Sequence, residues 1–153
     1  YGFEKFVADF SAAGMDGVIL PDVPHEESAE MRAVCAAHDF TLTEFITPGT
    51  TEERIAETCK DATGFIYCIS NYGVTGVKEI DYSIIGGVCK AARQYTDVPL
   101  AIGFVIGTPE AAARAAKQAD GVIVGSAVVK HIIDGDIDGG IRLIADMRKA
   151  LDA

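Results

Sequence analysis

Basic residues are scarce in this chain: 13 Lys and Arg stand against 23 Asp and Glu, a net charge of −10 over 153 residues. That balance argues against the two partner classes that need clustered cations, nucleic acid and anionic membrane surfaces. The acidic groups are spread along helical stretches, so the charge reads as a soluble surface. No apolar run approaches the roughly 20 residues that a bilayer-spanning helix needs. No basic-then-apolar leader opens the chain, because Tyr1 to Gly14 reads as an amphipathic helix. A start inside a helix, without Met, is what a chain beginning within a larger protein would show. Only four cysteines are present, Cys35, Cys59, Cys68 and Cys89, and no pair has Cys-x-x-Cys or metal-ligand spacing. Each sits in an apolar or helical context, so buried reduced thiols and a cytoplasmic location are expected. No His, Cys or carboxylate spacing suggests a metal, and no nucleophile elbow or Walker loop appears. No cofactor is expected. His25, His38 and His131 lie far apart near helix or turn positions and read as solvated or helix-capping. No low-complexity linker interrupts the chain, which reads as one domain or a large part of one.

What is present is an alternation of two periodicities. Phe3, Phe6, Val7 and Phe10 fall on one face of a helix that stops at Gly14. Short apolar runs at 17–21, 41–46, 64–69, 98–104 and 121–124 have strand length. Helical patterns separate them, at 26–37, from Thr51 onward, at 82–95 and from Thr108 onward. Thr51 and Thr108 are the expected N-caps, Glu52 and Glu53 carry the favoured sign for a first turn, and Pro109 suits the first helical position. Asp81 is a further candidate cap. A short helix is expected at 126–133, a turn at 134–138, and a terminal amphipathic helix beyond it. Five strands separated by helices imply right-handed βα units and an all-parallel sheet. Two architectures meet that description. A flavodoxin-like sandwich would be filled by 153 residues. The other is the later part of a (β/α)8 barrel, which needs about 250 residues when whole. Length alone favours the sandwich.

Chemistry is expected where strands end. The run Gly64 to Ile69 breaks into a small polar segment ending Gly73-Val74-Thr75-Gly76, which suits a mobile loop at a strand's C-terminal end. Gly103-Phe104 closes one strand and Gly125-Ser126 closes the next, each leading into a helix. Singly, such glycines only permit tight turns. Paired, with a short helix starting at Ser126, they suit a phosphate group. Glycine lets the anion approach the backbone, and free N–H groups and the helix dipole attract it. Asp22 follows a strand directly; it could orient a catalytic group or cap a helix. Tyr67 could line a pocket or fill a core layer.

The same residues resemble the tryptophan synthase α subunit family. The matching pieces, in order, are Leu20-Pro21-Asp22-Val23-Pro24 with Glu26-Glu27-Ser28, Phe45-Ile46-Thr47-Pro48, Phe65-Ile66-Tyr67 through Ser70 to Gly73-Val74-Thr75-Gly76, Gly103-Phe104, and Gly125-Ser126-Ala127-Val128-Val129-Lys130. The resemblance runs over essentially the whole chain but matches only the C-terminal part of that family. It therefore implies residues 1–153 to be the C-terminal portion of a single barrel domain: an α/β fold, a partial TIM (β/α)8 barrel of the last five βα units with parallel strands. The family cleaves indole-3-glycerol phosphate by a retro-aldol reaction into indole and glyceraldehyde 3-phosphate, and passes indole to a β subunit in an α2β2 assembly. The resemblance places the catalytic Glu and Asp on earlier strands, so no residue here takes either role. It implies a phosphate clamp at Gly76, Gly103, Gly125 and Ser126, and an indole-pocket wall of Ile46, Tyr67 and Phe104. Thr75 and Asp22 would support the catalytic groups. One departure stands out: the family's Gly-Phe-Gly-Ile is Gly103-Phe104-Val105-Ile106 here, and a backbone needing glycine at Val105 would be strained. Asn71 and Tyr72 also depart from the family's usual loop. Two other readings stay open: a non-catalytic partner module that activates a β subunit, and a self-standing phosphate-binding half barrel.

Overall fold

The structure is a computed structural model that describes residues 1–70 and 81–153. Its described strands are all parallel. They pair as β1 (Gly17–Val18) with β2 (Thr41–Leu42), and as β3 (Glu44–Ile46), β4 (Ile66–Ile69), β5 (Leu100–Gly103) and β6 (Gly121–Val122) in sequence order. A flavodoxin-like sheet reverses its strand order at a switch point. No reversal occurs here, so the order is that of an arc of barrel, and the expectation from length is overturned. Seven α-helices accompany the described strands: α1 (Phe3–Ala12), α2 (Ala29–Ala37), α3 (Glu52–Asp61), α4 (Ser83–Ala92), α5 (Pro109–Ala116), α6 (Ser126–Ile133) and α7 (Ile137–Leu151).

The element pattern holds, with shorter ends. The run expected as one strand over 41–46 is two, because the chain changes partner at Thr43. The Thr43 amide still donates to O of Val18, the last residue of β1, at 3.0 Å, whereas Glu44 is already in register with Ile66 of β4. The helix expected over 26–37 is a single 3-10 turn, His25–Glu27, followed by α2. Helix starts follow the cap chemistry. The Thr51 hydroxyl accepts from the Arg54 amide, that of Thr108 from the Ala111 amide, and the Asp81 carboxylate from the Ser83 amide at 2.9 Å.

Alternation along the strands sorts side chains onto two faces. Glu44, Ile46, Ile66, Cys68, Leu100 and Ile102 point toward the helices and are buried. There they meet Ile55 and Cys59 of α3, Ile85, Cys89 and Ala92 of α4, three alanines of α5 and Met147 of α7. The small side chains Ala111, Ala112 and Ala115 let α5 lie close to the sheet and to α7. All four cysteines are buried and unpaired. A second, smaller core of Val7, Cys35, Phe40 and Leu42 joins α1 and α2 to β1 and β2.

One charge stands among these buried residues. Glu44, 5 % exposed, accepts the His25 ring Nδ1 at 3.0 Å and lies 3.6 Å from Arg32 Nη1. Asp61 closes the group, 3.2 Å from Arg32 Nη2 and 3.7 Å from His25 Nε2. His25 is therefore an enclosed member of an ion cluster, not the solvated or capping residue expected. Desolvating a carboxylate is costly unless it is paired and hydrogen-bonded; the cluster pairs Glu44 and bonds its Oε2, while Oε1 meets Arg32 only as an ion pair, with no hydrogen bond among the described residues. His131 does assist a cap: its Nδ1 lies 3.0 Å from Asp136, which accepts the Gly139 amide at the start of α7.

Candidate functional site

The two closing βα junctions lie side by side. A Cβ placed on Gly107, in the β5–α5 connection, would stand 3.9 Å from the Ala127 Cβ in the first turn of α6. The expected sites Gly103 and Ser126 thus belong to one end of the sheet, and each junction is built differently.

At the β5–α5 junction the protein fills its own space. A Cβ on Gly103 would meet the Tyr67 hydroxyl at 2.2 Å, so glycine is required there by the tyrosine lying across it. The next two residues are left-handed without being glycine: Phe104 has φ 79° and Val105 φ 57°. A β-branched residue in that region is a steric outlier. The strain expected at Val105 is therefore present, and it extends to Phe104. Ser70 holds the turn. Its amide donates to Gly103 O at 3.2 Å, and its hydroxyl lies 2.9 Å from both Gly103 O and Phe104 O. Ser70 is 6 % exposed. Phe104 and Val105 are 45 % and 54 % exposed, while Ile106 is buried.

At the β6–α6 junction space is left open. Among the described residues nothing lies within 4 Å of a Cβ on Gly125, and its φ of −113° does not call for glycine either. Ser126, exposed, begins α6; the Val128 and Val129 amides donate to Gly125 O, and the amides of Ser126 and Ala127 precede the first carbonyl that the helix offers. The helix dipole adds partial positive charge at that end.

The sheet face opposite the helices forms a wall leading to these junctions. Phe45, Tyr67, Ala101 and Gly121 are in register across it. The rings of Phe45 and Tyr67 stack at 5.4 Å between centroids. Burial pushes the Tyr67 phenol up, so it stays protonated at neutral pH and can donate. Ile46 is not part of this wall: one residue along β3 from Phe45, it is fully buried on the helix side. The wall position that sequence reasoning assigned to Ile46 is filled by Phe45. Asp22 stands exposed in the turn after β1 and caps no helix; the 3-10 turn beside it begins at Pro24 without a side-chain cap. It lines a cleft of about 510 Å3 at the C-terminal ends of β1, β3 and β4, together with Thr47, Thr50, Arg54 and Ile69. Thr75 and Gly76, with Asn71 and Tyr72, lie outside the described residues. Among the described residues no group of His, Cys, Asp and Glu could hold a metal ion. What this end of the molecule offers is a row of backbone amides beside an aromatic wall.

Parallel strands in sequence order, helices on one face and glycine-marked junctions at the C-terminal ends define a partial (β/α)8 barrel. Comparison with known proteins gives the family. The family described as tryptophan synthase alpha chain matches residues 1–150. The chain is 43% identical over 132 residues to the tryptophan synthase alpha chain of Chloroflexus aggregans, covering 86% of this chain and 49% of that one. It is 45% identical over 131 residues to that of Geobacter sulfurreducens, covering 85% and 49%. Among solved structures, the tryptophan synthase subunit alpha of Campylobacter jejuni superposes with a TM-score of 0.86 at 33% identity, covering 96% of this chain and 59% of that one. A tryptophan synthase structure from Mycobacterium tuberculosis gives a TM-score of 0.88 at 30% identity, covering 99% and 57%. The chain belongs to the tryptophan synthase alpha chain family, and it spans about half the length of the curated relatives it matches. No helix among the described residues is long and apolar enough to cross a membrane.

Proposed function

We propose that this chain is the substrate-gripping part of a tryptophan synthase alpha subunit. In that protein indole-3-glycerol phosphate is cleaved to indole and glyceraldehyde 3-phosphate. The observation that carries the reading is the contact between the two closing junctions, Gly107 against Ala127, beside the unfilled space at Gly125. A phosphate there would accept from amides at the start of α6 and from the Phe104–Val105 turn, without a metal. The indole ring would lie along Phe45 and Tyr67, whose stacked rings offer a flat apolar surface. Gripping a remote phosphate lets binding energy orient the bond that breaks. Retro-aldol cleavage also needs a base to take a proton and an acid to protonate the leaving carbon. Those two groups come from outside residues 1–153 in this reading. Asp22, at the mouth of the neighbouring cleft, and Thr75 support them. A β subunit that takes up the indole is the partner this reading calls for.

The test is indole release from indole-3-glycerol phosphate by the natural-length protein, with and without a tryptophan synthase β subunit. Release that rises with the β subunit is expected. No release at high enzyme concentration, with activation of the β subunit retained, would favour the non-catalytic partner module instead.

A further inference from the structure

Two consecutive non-glycine residues in the left-handed region persist only where surrounding structure over-determines them. Among the described residues, Ser70 is the side chain that hydrogen-bonds to the backbone of the Phe104–Val105 turn. Ser70, at the end of β4, reaches 33 and 34 residues along the chain, its hydroxyl 2.9 Å from both Gly103 O and Phe104 O. A serine hydroxyl has one proton, so it donates to the two carbonyls in a shared bond. The Gly103 carbonyl already faces β4, where it accepts the Ser70 amide, whereas the Phe104 carbonyl is drawn toward β4 by the hydroxyl, and the two residues of this turn stand at positive φ. Downstream, Ile106 is anchored in the core and Gly107 rests against α6. Upstream, Gly103 is fixed by Tyr67. Between these fixed points lie Phe104 and Val105, whose side chains are about half exposed.

We propose that Ser70 is a positioning residue. Its hydroxyl latches the Phe104–Val105 turn in the left-handed form that directs its amides at the anion, and Val105 works against the latch. Binding strength at the clamp is then set by the balance between one hydrogen-bonding side chain and one β-branched side chain. This rests on the phosphate-clamp reading above.

The test uses the natural-length protein, inorganic phosphate as probe, and four variants: Ser70→Ala, Ser70→Thr, Val105→Gly and the double Ser70→Ala/Val105→Gly. Phosphate affinity is one readout. The backbone 13C shifts of residue 105, which report the sign of its φ, are the other and need no phosphate. Ser70→Ala is expected to weaken phosphate by about tenfold, the scale of one lost hydrogen bond. It should also move residue 105 out of the left-handed region. Ser70→Thr keeps the donor and should restore most of the affinity. Val105→Gly should tighten binding, and in its background Ser70→Ala should cost about twofold or less, because the turn no longer needs holding. Additive effects of the two substitutions, or a left-handed residue 105 with unchanged affinity in folded Ser70→Ala, would overturn the latch. If Ser70→Ala fails to fold, Val105→Gly alone decides: unchanged or weaker phosphate binding contradicts the proposal. If the wild-type protein binds no phosphate, the clamp reading falls and takes the affinity claim with it. The 13C shifts then still show whether the hydroxyl holds the turn.

Discussion

The two closing junctions carry the same sequence signature, a glycine at a strand end, for opposite physical reasons. At Gly103 the missing side chain makes room for the protein itself, because Tyr67 occupies the space. At Gly125 the missing side chain leaves room that no part of the described protein fills. The first junction is also held under strain by Ser70, while the second needs no special backbone. A glycine before a helix is thus evidence of ligand approach only when neither packing nor a positive φ explains it. By that criterion Gly125 is the glycine that the proposed clamp rests on, and Gly103 makes room for Tyr67.

Removing the platform that both junctions share should erase the difference between them. Ile102, fully buried in β5, is the centre of that platform. Ile102→Ala should cost about 3 kcal/mol, read by urea unfolding, and should impair both junctions together. The contrast itself appears when the two glycines are changed in turn. Gly103→Ala should cost about 2 kcal/mol through overpacking against Tyr67. Gly125→Ala should cost no more than about 1 kcal/mol in stability and yet weaken phosphate binding by tenfold or more. Equal stability losses at the two positions would break the comparison.

Glu44 supplies a control at the far side of the sheet. Glu44→Ala leaves His25 and Arg32 with Asp61 alone and should cost about 2 kcal/mol, since the cluster is only partly shielded. Phosphate affinity should not change. Glu44→Leu, which restores an apolar layer, should recover most of the stability.

The smallest effect is the response to alkaline pH, which should be the same at both junctions. In the Cys68–Cys89 pair one shared hydrogen bond raises Cys68 and lowers Cys89, so the two oppose each other, while burial alone pushes the Cys35 and Cys59 thiols up. The folded chain then keeps these protons after the unfolded chain begins to lose its own near the ordinary value of 9.0. Stability from this source is fully present below that pH and declines above it. Urea midpoints from pH 7 to 10 should fall at the alkaline end, and Cys35→Ser should shallow the fall. In the native protein none of the four thiols should react with a thiol reagent.

Elements were legible where the signal is local. The caps at Thr51 and Thr108 need only three residues of context, and both helices start where the threonines predict. Strand ends were read too long, because Ile19 and Leu20 continue an apolar run after the ladder has stopped at Val18. The face of β3 was misread because Phe45 and Ile46 are both large and apolar, so composition does not say which one faces the wall. The roles of His25 and Ser70 depend on partners from distant elements, Glu44 and Asp61 for one and Gly103 and Phe104 for the other. Nothing in their immediate neighbours signals those contacts. The strain at Val105 was legible from one substituted glycine in a resembling motif, and its extension to Phe104 was not.

Backbone amide shifts followed during a phosphate titration of the natural-length protein test the central claim most directly. The amides of Val105, Gly125 and Ser126 should move together and saturate at one common midpoint. Shifts at one junction only, or a uniform drift without saturation, would contradict an anion held between the two.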